Sequence, residues 1–362
     1  MRRLSRLFAI ALLPLSMIPF GAFLVGTSYL HPTHGIRAGG TTAWPSPRVT
    51  LNARRFVALP DYSTSHIPVL LWHGVQSKVG ADGGYSVTPV EFANEMALLQ
   101  HLGYHSISAQ QYADWRAGKP VALPSRPVLL TFDDGRFDTW RGADQILAKY
   151  HMQATIFVIV GQVEKHNLFY LQWNELQKME RSGRWDIQFH ADNGHVQIPI
   201  AKGKTGAFYA HREYYADGRV ETRTHYDARI TKDITVGLRI LKQHGFPLSR
   251  TMAMPFGESS TGYLGKLLRQ HFVTTFVQSG QSFTPYSSRS DPAAIRQEIR
   301  GKTTLDQMYR YLRDGNPSFI AQTRQTCKQG TYFHMTIDRG PICSRWKTLS
   351  GDKQWLAAHP GG

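Results

Sequence analysis

"VLLTFDDGRFDTW", residues 128–140, decides how the rest of the chain is read. Apolar residues lead from Val128 to Phe132, and two aspartates, Asp133 and Asp134, then stand side by side before Gly135. The apolar run has the length and composition of a buried parallel strand, and a helix is expected after it, from about Trp140 to His151. Adjacent carboxylates repel, and burying either one costs several kcal/mol unless a positive charge compensates. Either the pair is a solvated turn capping the next helix, or a cation belongs beside it.

The strand–helix rhythm continues in both directions. "IPVLLWHGV" (Ile67 to Val75) reads as a buried strand, and "PVEFANEMALLQHLG" (Pro89 to Gly103) as a helix with apolar residues at helical spacing. "HSISAQQYADW" suggests a short strand and a second helix. Downstream, "ATIFVIV", "WDIQFH", "TMAMPFG" and "VTTFVQSG" read as strands, with "WNELQKMERSG", "DITVGLRILKQHG" and "GYLGKLLRQH" as helices between them. Such alternation implies a largely parallel sheet, closed or nearly closed into an α/β barrel. Residues 196–232, rich in Tyr, Arg and His, break the rhythm and read as an inserted loop or hairpin, functional or merely decorative.

The ends of the chain bear on its surroundings. Three arginines precede Leu7, and no charge occurs from Leu7 to Leu30. This pattern reads as a membrane anchor or a signal peptide over 1–30, with the uncleaved anchor favoured. Residues 31–60 read as a linker, and the rest of the chain is placed outside the cytoplasm. The 362 residues carry 41% hydrophobic side chains and a formal charge of +16. A sizeable core follows, together with an anionic neighbour such as a wall polymer or a membrane surface. Nucleic acid is not expected beyond an export signal, and nothing marks an obligate protein partner. The two cysteines, Cys327 and Cys343, suit one disulfide in an oxidising compartment, or two free thiols.

In a parallel α/β barrel the active site forms where the strands' carboxyl ends meet. Four polar groups fall at such ends: Asp133 with Asp134, His190 with His195, "MPFG" (Met254 to Gly257), and His334. Each has an ordinary explanation alone: a cap, surface histidines, a turn, a core histidine. Together they suit a metal hydrolase. Two neutral imidazoles and one carboxylate make a facial set for a divalent ion that acidifies water and polarises a carbonyl. The second aspartate is then free to act as general base, and a histidine across the site to protonate the leaving group.

"TFDDG" followed by a helix and "ATIFVIV" resembles the first motif of the polysaccharide deacetylases, a carbohydrate esterase family. "WNELQKMERSGRWDIQFHADNGH" resembles the second motif region and "MAMPFG" the Pro-aromatic-Gly motif; the similarity spans about residues 65–310. The resemblance implies a distorted (β/α)7-type barrel within a deacetylase domain over 61–350. It also implies removal of acetyl groups from an N-acetylglucosamine polymer of exopolysaccharide or wall, with zinc or a similar divalent ion. It makes Asp133 the base, Asp134, His190 and His195 the metal ligands, and the backbone N–H near Phe256 an oxyanion donor. Pro255 and Phe256 would wall the pocket, and His334 would be the general acid.

Some positions depart from the family pattern. The histidines are spaced H-x4-H in "HADNGH", whereas H-x3-H is commoner; the longer form resembles poly-N-acetylglucosamine deacetylases. An arginine often stands two residues before the motif proline, but here that position is Ala253 and Arg250 is displaced, which leaves the partner of Asp133 open. The final Leu-x-His motif is matched loosely by "YFH". His73 either lines the site or is a structural strand-end histidine, and Trp173 either stacks on a sugar or packs in the core. Competing functions are a carbohydrate-binding protein on a degenerate barrel, an O-deacetylase, and a glycosidase. The last would need a second strand-end acid, which is not evident.

Overall fold

The computed structural model of the chain describes residues 47–59, 65–77, 82–278 and 286–316. Seven strands form a closed parallel barrel: β1 (His66–Trp72), β2 (Pro127–Phe132), β3 (Ala154–Ile159), β4 (Trp185–Ala191), β5 (Thr251–Ala253), β6 (Thr274–Gln278) and β7 (Ala294–Glu298). Each pairs in parallel with the next, and β1 closes the ring by pairing with both β2 and β7. Closure explains why β1, β2 and β3 are almost wholly apolar: with helices outside and side chains inside, neither face meets water.

The barrel is distorted. β5 is three residues long and meets β4 at one register pair, Met252 with Phe189. Short strands extend the amino-terminal end: His105–Ile107 joins β2 in parallel, and Tyr286–Ser288 runs antiparallel to the start of β1.

Helices α1 (Pro89–His101), α2 (Ala109–Arg116), α3 (Phe137–Lys149), α4 (Val160–Glu164), α5 (Trp173–Arg181), α6 (Arg223–Gln243), α7 (Gly262–Leu268) and α8 (Leu305–Asp314) complete the regular structure. Thr88 and Glu91 form a reciprocal capping box at α1, with Pro89 at its first position, so the expected start is correct to the residue. Two helices begin earlier than the sequence suggests. α3 starts at Phe137 rather than Trp140, because the turn after β2 is complete by Arg136. α6 starts at Arg223, ten residues before Asp233, where Thr222 accepts from the His225 N–H and caps it. Residues 196–232 therefore hold a hairpin (Gln197–Ala201 with Lys204–Ala207) and the first turns of a 21-residue helix.

The seventh strand was not apparent in the sequence. "AIRQE" has no apolar run: Ala294 and Arg296 point inward, and Ile295 is followed only by Gln297 and Glu298. The barrel interior holds Ile67, Val69, Leu129, Phe157, Ala253, Phe276 and Ala294. Because side chains alternate along a strand, the inward row Leu129–Thr131 continues to Asp133, and Ala294 continues to Arg296. Among the described residues no helix is long and apolar enough to cross a membrane. The segment read as an anchor, the linker up to residue 46 and both cysteines lie outside the described residues.

Candidate metal centre and active site

The turn after β2 separates the two aspartates. Asp134 takes φ +73° and Gly135 φ +74°, consecutive left-handed residues that swing the chain away from the strand axis. Aspartate tolerates this region better than most residues, and glycine does so without strain. Asp133, still in the inward row, is 2% exposed and is gripped by Arg296 on β7. The guanidinium donates from Nη1 to Oδ1 and from Nη2 to Oδ2, both at 2.7 Å. Arg296 is itself fully buried, with its guanidinium carbon 5.7 Å from the centre of the Phe157 ring. Burial opposes ionisation of Asp133, but Arg296, followed by His190 and His73, holds the carboxyl below its ordinary value.

This identifies the partner that sequence reading left open. Arg250 points elsewhere, to Asp114 at 2.6 Å. Arg296 lies on that unread strand, and a lone arginine between isoleucine and glutamine carries no local signal. The available clue was an Arg at an alternating position in a short segment late in a barrel sequence.

Asp134, His190 and His195 converge. Each offers one ligand atom, and these atoms lie within 4.8 Å of one another. Both Nε2 atoms lie 3.5 Å from Asp134 Oδ1. Donors around a tetrahedral zinc ion with bonds of about 2.0–2.1 Å stand about 3.3 Å apart, so the spacing suits ligands around a shared cation. The His190 Nδ1–H donates to the Ala253 carbonyl at 2.8 Å, which fixes the tautomer and leaves the Nε2 lone pair facing the triangle. Burial pulls His195 down to about 4 against the pull of Asp134, so its ring is neutral at physiological pH. Burial also opposes charge on His190, but Asp134 and Asp133 outweigh it and raise that residue. For Asp134 burial is likewise outweighed, by His190 and His195, and the carboxyl lies far below its usual range. A carboxylate and two imidazoles presenting lone pairs to one point form a donor set that fits a divalent cation.

Around the triangle, Phe256 takes φ +60° within a single 3-10 turn, Pro255–Gly257, and its ring centre lies 4.5 Å from that of His195. Pro255 is buried and Phe256 partly exposed. His73, just past β1, places Nδ1 3.3 Å from Glu298 Oε1 at the end of β7 and packs edge-on against Tyr85. Its charge would favour ionisation of both Asp133 and Asp134. Trp173 is in a different setting: its indole stacks on His244 with ring centres 3.9 Å apart, donates to Glu164 at 2.8 Å and packs on the outer core. His334 lies outside the described residues.

The closed parallel barrel thus carries an Asp-His-His triangle and a buried carboxylate–guanidinium pair at the end where α/β barrels build their active sites. Residues 121–274 match the polysaccharide deacetylase family, and the chain carries a domain of that family. His73, just past β1, and Arg296 on β7 lie on either side of the matched segment. The chain is 29% identical over 146 residues to the poly-beta-1,6-N-acetyl-D-glucosamine N-deacetylase of Staphylococcus epidermidis, covering 39% of this chain and 48% of that one. It is 27% identical over 206 residues to the protein of that name from Escherichia coli, covering 52% and 30%. The matches thus span less than half the length of both relatives. Among solved structures, a de-N-acetylase from Aggregatibacter actinomycetemcomitans superposes with a TM-score of 0.59 at 23% identity, covering 68% of this chain and all of that one. IcaB from Ammonifex degensii gives 0.54 at 24%, covering 70% and 98%. These two likenesses establish the shared fold.

Proposed function

We propose that the protein hydrolyses N-acetyl groups of a poly-N-acetylglucosamine chain, releasing acetate, at the mouth of the barrel. The observation that carries this reading is the Asp134–His190–His195 triangle beside a separately held carboxylate, Asp133. A metal centre and a base are then adjacent without sharing a residue. The relatives' names support the substrate class.

When bound at the triangle, a divalent cation, zinc in the first place, supplies Lewis acidity toward the acetyl carbonyl and makes water a better nucleophile. The protein's residues do the rest. Asp133 accepts the proton of the attacking water. Arg296 uses one lone pair on each carboxylate oxygen and leaves another free, while keeping the group ionised. The Phe256 N–H, at the positive-φ turn beside His195, is assigned to the developing oxyanion, with Pro255 and Phe256 shielding it from water. Protonation of the departing amine is assigned to His73, whose Nδ1 lies 3.3 Å from Glu298 Oε1. That is the role the sequence suggested for His334. The proposal includes an extracytoplasmic location with the amino-terminal segment at a membrane.

The test pairs acetate release from poly-β-1,6-N-acetylglucosamine with metal content. Asp134→Ala and His190→Ala should lose both together, and a chelator should abolish activity that added zinc restores. Full activity in either metal-free variant would sink the assignment, and a wild-type protein that binds the polymer without releasing acetate would favour a binding role.

A further inference from the structure

We propose that Asp233 is a positioning residue for the ligand triangle, acting through the main chain that links His190 to His195. The inference rests on reading those histidines with Asp134 as metal ligands. His190 belongs to β4, and His195 follows after four further residues. For both Nε2 atoms to reach one Asp134 oxygen, the chain must reverse within residues 191–194. That reversal has an external support in the middle of α6. Asp233 Oδ2 accepts from the Asp192 N–H at 3.0 Å, and Oδ1 accepts from the Asn193 N–H at 2.8 Å. The Tyr209 hydroxyl also donates to Oδ2. On the opposite side the Gly161 N–H donates to the Asp192 carbonyl at 3.0 Å.

The loop has no slack against this support. A Cβ on Gly194 would lie 2.7 Å from the Tyr209 ring and 2.9 Å from the Asp233 carboxylate, so loop and support touch where only glycine fits. The support is anchored in turn. Tyr226 donates to the Tyr209 carbonyl at 2.6 Å, while Arg229 donates to the carbonyls of Phe208 and His211 and pairs with Glu221 at 2.7 Å. The break in the strand–helix rhythm at 196–232 thus contributes Tyr209 and its anchors to the brace. Because the two N–H groups go to different oxygens of Asp233, an amide in the same place would turn its own NH2 against one of them.

The test uses the full chain, purified metal-free and titrated with Zn2+ against a competing chelator, with metal-free thermal midpoints measured alongside. Asp233→Asn should weaken Zn2+ binding about tenfold, the scale of lost support behind metal ligands. Tyr209→Phe should weaken it by about fivefold, the size of one hydrogen bond. His195→Ala serves as the control for loss of a ligand. A support of the fold alone would move the metal-free midpoint and leave zinc affinity unchanged. Wild-type affinity in both the Asp233 and Tyr209 variants overturns the inference and leaves the ligand reading intact. If Asp233→Asn does not fold, Tyr209→Phe alone decides. Zinc binding that is equal in wild type and His195→Ala overturns the ligand reading, and this inference with it.

Discussion

Arg296→Met removes the guanidinium that both Asp133 oxygens use, at a position where the carboxylate is buried. Arg296 is fully buried and Asp133 nearly so. Removing one partner of such a pair leaves the other charge uncompensated, at a cost of about 3–5 kcal/mol. For a domain of this size each kcal/mol lowers the melting midpoint by roughly 2–4 °C, so a fall of about 6–20 °C is expected at neutral pH. The penalty should depend on pH in a defined direction. In the wild type the folded-state carboxyl lies below its unfolded value, so the pair stabilises above the ordinary carboxylate range and that stability is lost as pH falls through the folded value. Without Arg296, burial dominates and raises the carboxyl. The variant therefore neutralises Asp133 at acid pH, and its deficit shrinks there. The assay is urea unfolding of wild type, Arg296→Met, Asp133→Asn and the double variant between pH 4 and 8. Removing both charges should recover most of the loss, giving a coupling energy of about 3 kcal/mol or more. A deficit below about 1 kcal/mol at pH 7, or losses that simply add in the double variant, would refute the argument.

Two further predictions concern residues away from the triangle. Burial pushes Glu95 up to about 8 while the Trp72 indole N–H donates to it at 2.8 Å. Its stabilising effect is therefore complete below its unfolded value of 4.5 and declines by roughly 1.4 kcal/mol per pH unit until pH passes 8. Glu95→Gln keeps an acceptor for Trp72 and should flatten that decline, measured as thermal midpoint against pH; an unchanged slope would exclude Glu95 as its source. Trp173→Ala should cost roughly 1–3 kcal/mol through lost packing on His244 and the outer core, with the KM for polymer unchanged. A raised KM at unchanged stability would restore the sugar-stacking role.

Much of the barrel was legible because closure buries both faces of its strands. "VLLTF" and "ATIFVIV" announce themselves as continuous apolar runs, and the aspartates and histidines stand at the strand ends where polarity returns. The convergence of Asp134, His190 and His195 was legible for the same reason, since each sits in a short motif at a strand end. Helix starts were less visible. The Thr222 cap lies within a tract of mixed polar residues, and the bonds of Tyr226 and Arg229 to the carbonyls of Tyr209 and Phe208, just past the hairpin, hold the early turns of α6.

The sequence by itself determined the α/β alternation, the place of the carboxylates at a strand end and the candidate ligands, because burial period and residue chemistry are local properties. Tertiary structure decided the partners. Arg296 reaches Asp133 across 163 positions of chain, through the pairing of β7 with β1 and of β1 with β2. Asp233 reaches the histidine loop from a helix whose first half does not look like one. A lone charge in a short polar strand carries no pattern until closure of the barrel removes water from around it. Only then does its counter-charge, Asp133, become fixed.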